Sequence, residues 1–162
     1  MHFRIFLLAL IAGTAVHGMA LAGAGQAPGH GHGDETTFGV PGDPKKPARI
    51  IPVAMRETAD GRMLFHPNRI EIKRGEQVRF RIRNQGELDH EFVLATAEEN
   101  LKHALEMQKN PDMEHDDPNA KRLSPKQSGE IVWKFTKAGE FDFSCLIPGH
   151  RESGMTGTII VK

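Results

Sequence analysis

From Ile70 onward the chain alternates apolar and polar residues with a period of two. Ile70 and Ile72, then Val78, Phe80 and Ile82, are interleaved with Glu71, Lys73, Arg79, Arg81 and Arg83. Successive side chains of a strand point to opposite faces, so the pattern predicts half-buried antiparallel strands with Arg74-Gly75-Glu76 as the turn between the first two. The same period returns in His90, Phe92 and Leu94, in Ile131, Trp133 and Phe135, in Phe141, Phe143 and Cys145, and in Met155, Ile159 and Val161. Short strands separated by turn residues predict an all-β sandwich. Trp133 is expected in its core.

One stretch changes period. Thr96-Ala97-Glu98-Glu99 has the form of a capping box, and Ala97, Leu101, Ala104 and Leu105 then form a narrow apolar stripe at helical spacing. A single helix of about three turns is predicted, resting on the sandwich by that stripe. His103 and Met107, four residues apart, then fall on the face turned away. Asn110 to Pro125 carries Pro111, Pro118, Pro125 and many charges and reads as an exposed loop. Upstream, residues 23–48 are rich in Gly, Pro and Ala around His30 and His32, without a hydrophobic period. They read as a disordered lead-in, with order expected to begin near Arg49 and a single domain spanning 49–162.

The N-terminus is of another kind. Met1 to Arg4 is basic, Ile5 to Val16 is apolar, and Ala20-Leu21-Ala22 offers small residues for cleavage, so residues 1–22 read as a signal peptide directing export to the periplasm. The apolar run falls short of the roughly 20 residues needed to span a bilayer. Without residues 1–22 the chain loses one cation, Arg4, from a balance of 21 Lys+Arg against 21 Asp+Glu, which leaves about −1. That charge predicts no attraction to nucleic acid or to acidic lipid.

Cys145 is the single cysteine of the 162 residues. In an oxidising compartment it has no internal partner, so it is either an inert, buried side chain or a thiolate protected by a metal. Its surroundings bear on the choice. The segment Phe141-Asp142-Phe143-Ser144-Cys145-Leu146-Ile147-Pro148-Gly149-His150, followed by Gly154-Met155, places a thiolate, an imidazole and a thioether within eleven residues. Parity aims the sulfur at the interior with Phe141 and Phe143, and Pro148-Gly149 allows the loop to return His150 toward it. His90 begins a strand and points inward with Phe92 and Leu94, where an unpaired ring would cost about 1 to 3 kcal/mol. Two imidazoles, one thiolate and a weak axial thioether are the donors of a blue-copper site.

The run from Gly139 to Gly157, together with the isolated upstream His90, resembles the cupredoxins. The four residues between Cys145 and His150 and the four between His150 and Met155 resemble the ligand loop of rusticyanin and auracyanin. The resemblance covers about residues 49–162, with Ala97 to Leu123 as an insertion. It implies a Greek-key β-sandwich with one short helix in that insertion, and one type 1 copper ion bound by His90, Cys145, His150 and Met155. One position departs from the family: the residue after the first histidine, commonly Asn or Ser, is Glu91, and an ionised carboxylate cannot donate a hydrogen bond toward the sulfur.

Two functions are compatible with these residues. The first is a one-electron carrier exchanging with periplasmic redox proteins through the edge of His150. The second is a copper-tolerance protein that binds or buffers the ion, with His30, His32, His103, Met107, Met113 and His115 as candidate extra ligands. Each of these also has a plainer reading, as linker or solvated face. Met55, Met63 and His66 could likewise be ligands, although Met in a strand is more often core filler. The stripe Arg79, Arg81 and Arg83 could meet an acidic partner or simply face water. An enzyme is not expected: Cys145 lies between Ser144 and Leu146 rather than in a His-Cys-His bridge, and a dinuclear centre would need a second cysteine.

Overall fold

The computed structural model describes residues 36–111 and 117–162. The expected signal peptide, His30, His32, Met113 and His115 lie outside the described residues. In chain order the elements are β1 (Val40–Pro41), β2 (Arg49–Glu57), β3 (Met63–His66), β4 (Arg69–Ile72), β5 (Gln77–Asn84), β6 (His90–Ala95), α1 (Ala97–Lys109), β7 (Ala120–Leu123), β8 (Ser128–Lys134), β9 (Gly139–Ser144) and β10 (Thr156–Val161). They form two five-stranded sheets, ordered β1-β8-β5-β2-β3 and β4-β10-β9-β6-β7.

The alternating positions meet between the sheets. Val78, Phe80 and Ile82 from β5, Ile131 and Trp133 from β8, Phe92 and Leu94 from β6, and Phe141 and Phe143 from β9 belong to one core, with Cys145 and Met155. Phe92 stacks on Phe143 at 4.9 Å between ring centroids, and Phe65 meets both rings edge-on. Each well-packed aromatic pair adds about 0.5 to 1.5 kcal/mol to the burial of its area.

Four expectations about the frame are corrected. The turn Arg74-Gly75-Glu76 does not join paired strands. β4 runs parallel to β10 in one sheet, whereas β5 lies in the other, parallel to β2 and antiparallel to β8, so this turn carries the chain across the sandwich. Alternation reports which face is buried, and says nothing of which strand is the neighbour.

The sandwich also begins upstream of Arg49. Phe38 is buried and stacked on Trp133, whose Nε1–H donates to the Phe38 carbonyl at 3.1 Å, and β1 pairs with β8. Two residues of strand are too few to show a period. For the same reason the four residues of β7, within the segment read as a loop, escape a pattern-based reading. Their backbone extends the second sheet beside β6, and Leu123 is buried.

The helix is present with its capping box: Thr96 Oγ1 accepts from the Glu99 N–H, and the Glu99 carboxylate accepts from the Thr96 N–H. Its buried face is not the predicted one. Leu101 and Leu105 are 54 % and 57 % exposed, while Asn100 and Met107 are buried. Met107 packs with Val93 and Leu146, beside Ala104 and Ala120. α1 lies over the outer faces of β6 and β9, and this explains why β6 is buried at every position rather than at alternate ones. No helix among the described residues is long and apolar enough to cross a membrane.

Candidate metal centre

Strand register brings three side chains to one end of the second sheet. β6 and β9 are antiparallel, with Val93 opposite Ser144, so the start of β6 and the end of β9 coincide and His90 comes near Cys145. The loop after Cys145 reverses at Gly149, whose φ of +87° is unfavourable for residues with a Cβ. The turn places His150 Nδ1 3.3 Å from Cys145 Sγ and 3.2 Å from His90 Nδ1. The donor atoms of His90, Cys145 and His150 all lie within 4.8 Å of one another, and no other group of three or more His, Cys, Asp or Glu residues among the described ones is so arranged. His90 and Cys145 are fully buried, and His150 is the partly exposed member.

Met155 returns to the same end. Its N–H donates to the His150 carbonyl, its carbonyl accepts from the Cys145 N–H, both at 3.1 Å, and its side chain is fully buried in the core that holds Cys145. The other candidates are elsewhere or otherwise engaged. Met55 is core and Met63 packs against it, as the plainer reading had it, and His66 is exposed. Met107, expected on a solvated face, is buried in the cluster under α1. Arg79 and Arg81 both reach Glu130, at 2.6 and 3.1 Å, so part of the basic stripe is matched by charge.

The electrostatics fit a metal. Burial, reinforced by the nearby Glu91 carboxylate and opposed by the N–H of Glu91, pushes the Cys145 thiol up to about 12. By itself the pocket therefore keeps the sulfur protonated, and a bound cation supplies the charge that a thiolate needs here. Burial and the neighbouring His90 hold the His150 ring below its ordinary range, so it presents a lone pair at neutral pH. Two imidazoles and a sulfur converging in a largely buried site form a soft, compact donor set suited to copper.

Glu91 has a role different from the one its charge suggested. Its backbone N–H points at Cys145 Sγ at 3.4 Å, and its carboxylate accepts the N–H of Leu146 at 2.8 Å. The loop is therefore stapled by an acceptor at position 91 instead of a donor. A second carboxylate lies on the other side of His90. Glu57, at the end of β2, accepts from the ring of His90 at Nε2 (2.8 Å) and from the N–H groups of Glu87 and Leu88. Burial opposes its ionisation, yet those bonds hold its carboxyl down at about 2. Nothing local marks Glu57, which lies 33 residues before its partner.

Behind the loop, the face of β9 opposite the metal group carries Asp142 and Ser144. Asp142 accepts from Asn100 Nδ2 and Ser144 Oγ, both at 2.6 Å, from Arg151 Nη1 at 3.0 Å and from Thr156 Oγ1 at 3.1 Å. Arg151, immediately after His150, also donates to Ser144 Oγ. The residues flanking the metal group are thus tied to β9, β10 and α1 at once.

Residues 53–162 match the copper binding proteins of the plastocyanin/azurin family. The chain belongs to this cupredoxin family. It is similar to the copper-resistant cuproprotein CopI of Rubrivivax gelatinosus, 49 % identical over 90 % of this chain and 83 % of that one. It is also similar to the copper-resistant cuproprotein CopI of Pseudomonas aeruginosa PAO1, 36 % identical over 94 % and 96 %. Among solved structures it resembles auracyanin B, with a TM-score of 0.59, 22 % identity and coverage of 82 % of this chain and 99 % of that one. As a cupredoxin the chain binds copper, and its His-Cys-His group is able to hold one ion.

Proposed function

We propose that this cupredoxin is an exported, periplasmic copper-resistance protein that holds one type 1 copper ion through His90, Cys145, His150 and Met155. The convergence of two Nδ1 atoms and one Sγ within 4.8 Å carries the ligand assignment. Met155 joins it because its backbone is bonded to both Cys145 and His150 and its side chain is buried in the core that also holds Cys145. When bound, copper supplies a one-electron couple that sulfur and imidazole donors support in both oxidation states. The protein's share is to bury Cys145 away from water, to aim the imidazole rings at its sulfur, and to hold the donors on a packed scaffold.

Kinship to two proteins named for copper resistance favours copper handling as the physiological role over a dedicated electron carrier. Electron transfer is the second reading, favoured by the partly exposed His150 as a path to a periplasmic redox partner. In neither reading is the protein an enzyme, since Cys145 lacks flanking histidines.

Copper titration of the purified protein, following visible absorption and metal per chain, tests the site. One equivalent giving an intense thiolate-to-copper band, absent from Cys145→Ser, is expected. Absence of a thiolate-dependent band refutes the assignment. For the role, a strain lacking the protein should become copper-sensitive and be rescued by the parent but not by Cys145→Ser; unchanged tolerance refutes copper handling.

A further inference from the structure

We propose that Glu57 is a positioning residue of the copper centre, fixing the tautomer of His90 and biasing the site toward Cu(II). The inference rests on the ligand reading above and extends it to a residue outside the ligand set.

The geometry is directional. His90 Nδ1 faces His150 and Cys145, while Nε2 lies 2.8 Å from Glu57 Oε1. A carboxylate can only accept, so the Nε2 atom carries the hydrogen and Nδ1 keeps its lone pair toward the metal group. The carboxylate is itself held in place, for its oxygens also accept the N–H groups of Glu87 and Leu88.

The approach is built into the chain. A Cβ at Gly86 would collide with both Glu57 carboxylate oxygens, so the absent side chain is what admits them. The Gly86 N–H donates to Asn84 Oδ1 at 2.9 Å, and Asn84 Nδ2 donates to the Leu88 carbonyl at 2.7 Å, which shapes the loop around the carboxylate. Among the described residues the ion-pairing partner of Glu57 is the His90 ring rather than a Lys or Arg.

A fixed anion on the far side of a ligand ring pushes electron density toward Nδ1. It stabilises the dication more than the monocation, because the interaction scales with the charge. Glu57 adds one negative charge to those of the Cys145 thiolate and the nearby Glu91 carboxylate, and a dication gains more from that added charge than a monocation does.

The test uses copper-loaded and metal-free protein. Glu57→Gln keeps the length and an acceptor oxygen but removes the charge. The ratio of Cu(II) to Cu(I) affinity is expected to fall at least tenfold, a rise in reduction potential of about 59 mV for one electron, with the thiolate-to-copper band retained. Nitrogen-15 NMR of the metal-free parent is expected to show the His90 proton on Nε2. An unchanged potential in a variant that keeps its band, or a His90 proton on Nδ1, overturns the proposal. Should Glu57→Gln fail to fold, Gly86→Ala decides, since it displaces the carboxylate while leaving it in the chain; a rise in potential supports the proposal and an unchanged one overturns it. If the parent shows no thiolate-dependent band, the ligand reading fails and the bias toward Cu(II) fails with it, whereas the NMR result still judges the tautomer by itself.

Discussion

Removing the Asp142 carboxylate should destabilise the protein substantially, because it is the acceptor on which several elements converge. Four side chains donate to it, from α1, β9, the loop after His150 and the start of β10. In Asp142→Ala the Arg151 guanidinium, only 18 % exposed, loses its counterion and Asn100 loses an acceptor in a buried site. Breaking a buried ion pair by deleting one partner costs about 3 to 5 kcal/mol. The residual exposure of both partners, 18 % and 11 %, places the expected loss near the lower end, about 3 kcal/mol. At about 4 °C per kcal/mol for a domain of this size, the melting temperature should fall by about 12 °C.

Urea and thermal unfolding of the metal-free protein measure this directly. The Asp142→Ala/Arg151→Ala pair then completes a double-mutant cycle. The double variant should lose less than the sum of the single ones by about 1 to 3 kcal/mol, because removing Arg151 relieves the unpaired charge. A loss under about 1 kcal/mol in Asp142→Ala, or strict additivity in the cycle, would show that the pair is a solvated contact with no part in holding the loop.

Four further perturbations separate the structure from the pattern. Met107→Ala should cost about 2 to 5 kcal/mol by opening a cavity against Val93 and Leu146. Leu101→Ala should stay within about 0.5 kcal/mol; the reverse order in urea melts would restore the apolar stripe as the buried face. Phe38→Ala should cost about 3 to 5 kcal/mol through its stacking on Trp133, and a neutral result would return the start of the folded domain to Arg49. The last concerns pH. Because the Glu57 carboxyl is held at about 2 against an ordinary 4.5, the unfolded chain takes up this proton first. The stabilisation is complete above about pH 4.5 and is lost as the pH falls toward 2. It amounts to something on the order of 3 kcal/mol, at about 1.4 kcal/mol per unit. Urea melts of metal-free parent and Glu57→Gln should therefore converge as the pH drops through this window, and a constant gap would refute the assignment.

Much of the protein is determined locally and can be read from the chain. The period of two at Val78, Phe80 and Ile82 and at Phe141, Phe143 and Cys145 follows from strand geometry alone, and it correctly identifies the buried faces. The capping box at Thr96 and Glu99 is likewise a contact between near neighbours. The spacing of Cys145, His150 and Met155 is legible because one short loop carries all three.

What only the tertiary structure decides involves partners distant in sequence. The helix buries Asn100 and Met107 rather than Leu101 and Leu105 because its seat is the polar cluster at Asp142 and the small apolar cluster at Leu146, and propensity and hydrophobicity describe neither. β4 and β5, adjacent in sequence, part into different sheets because each completes its hydrogen bonds against a strand far along the chain. The pairing of Glu57 with His90 and the clearance at Gly86 exist only once β2 and the loop before β6 are side by side. A side chain's own period tells which way it points, but what it meets there depends on long-range packing, which no local pattern encodes.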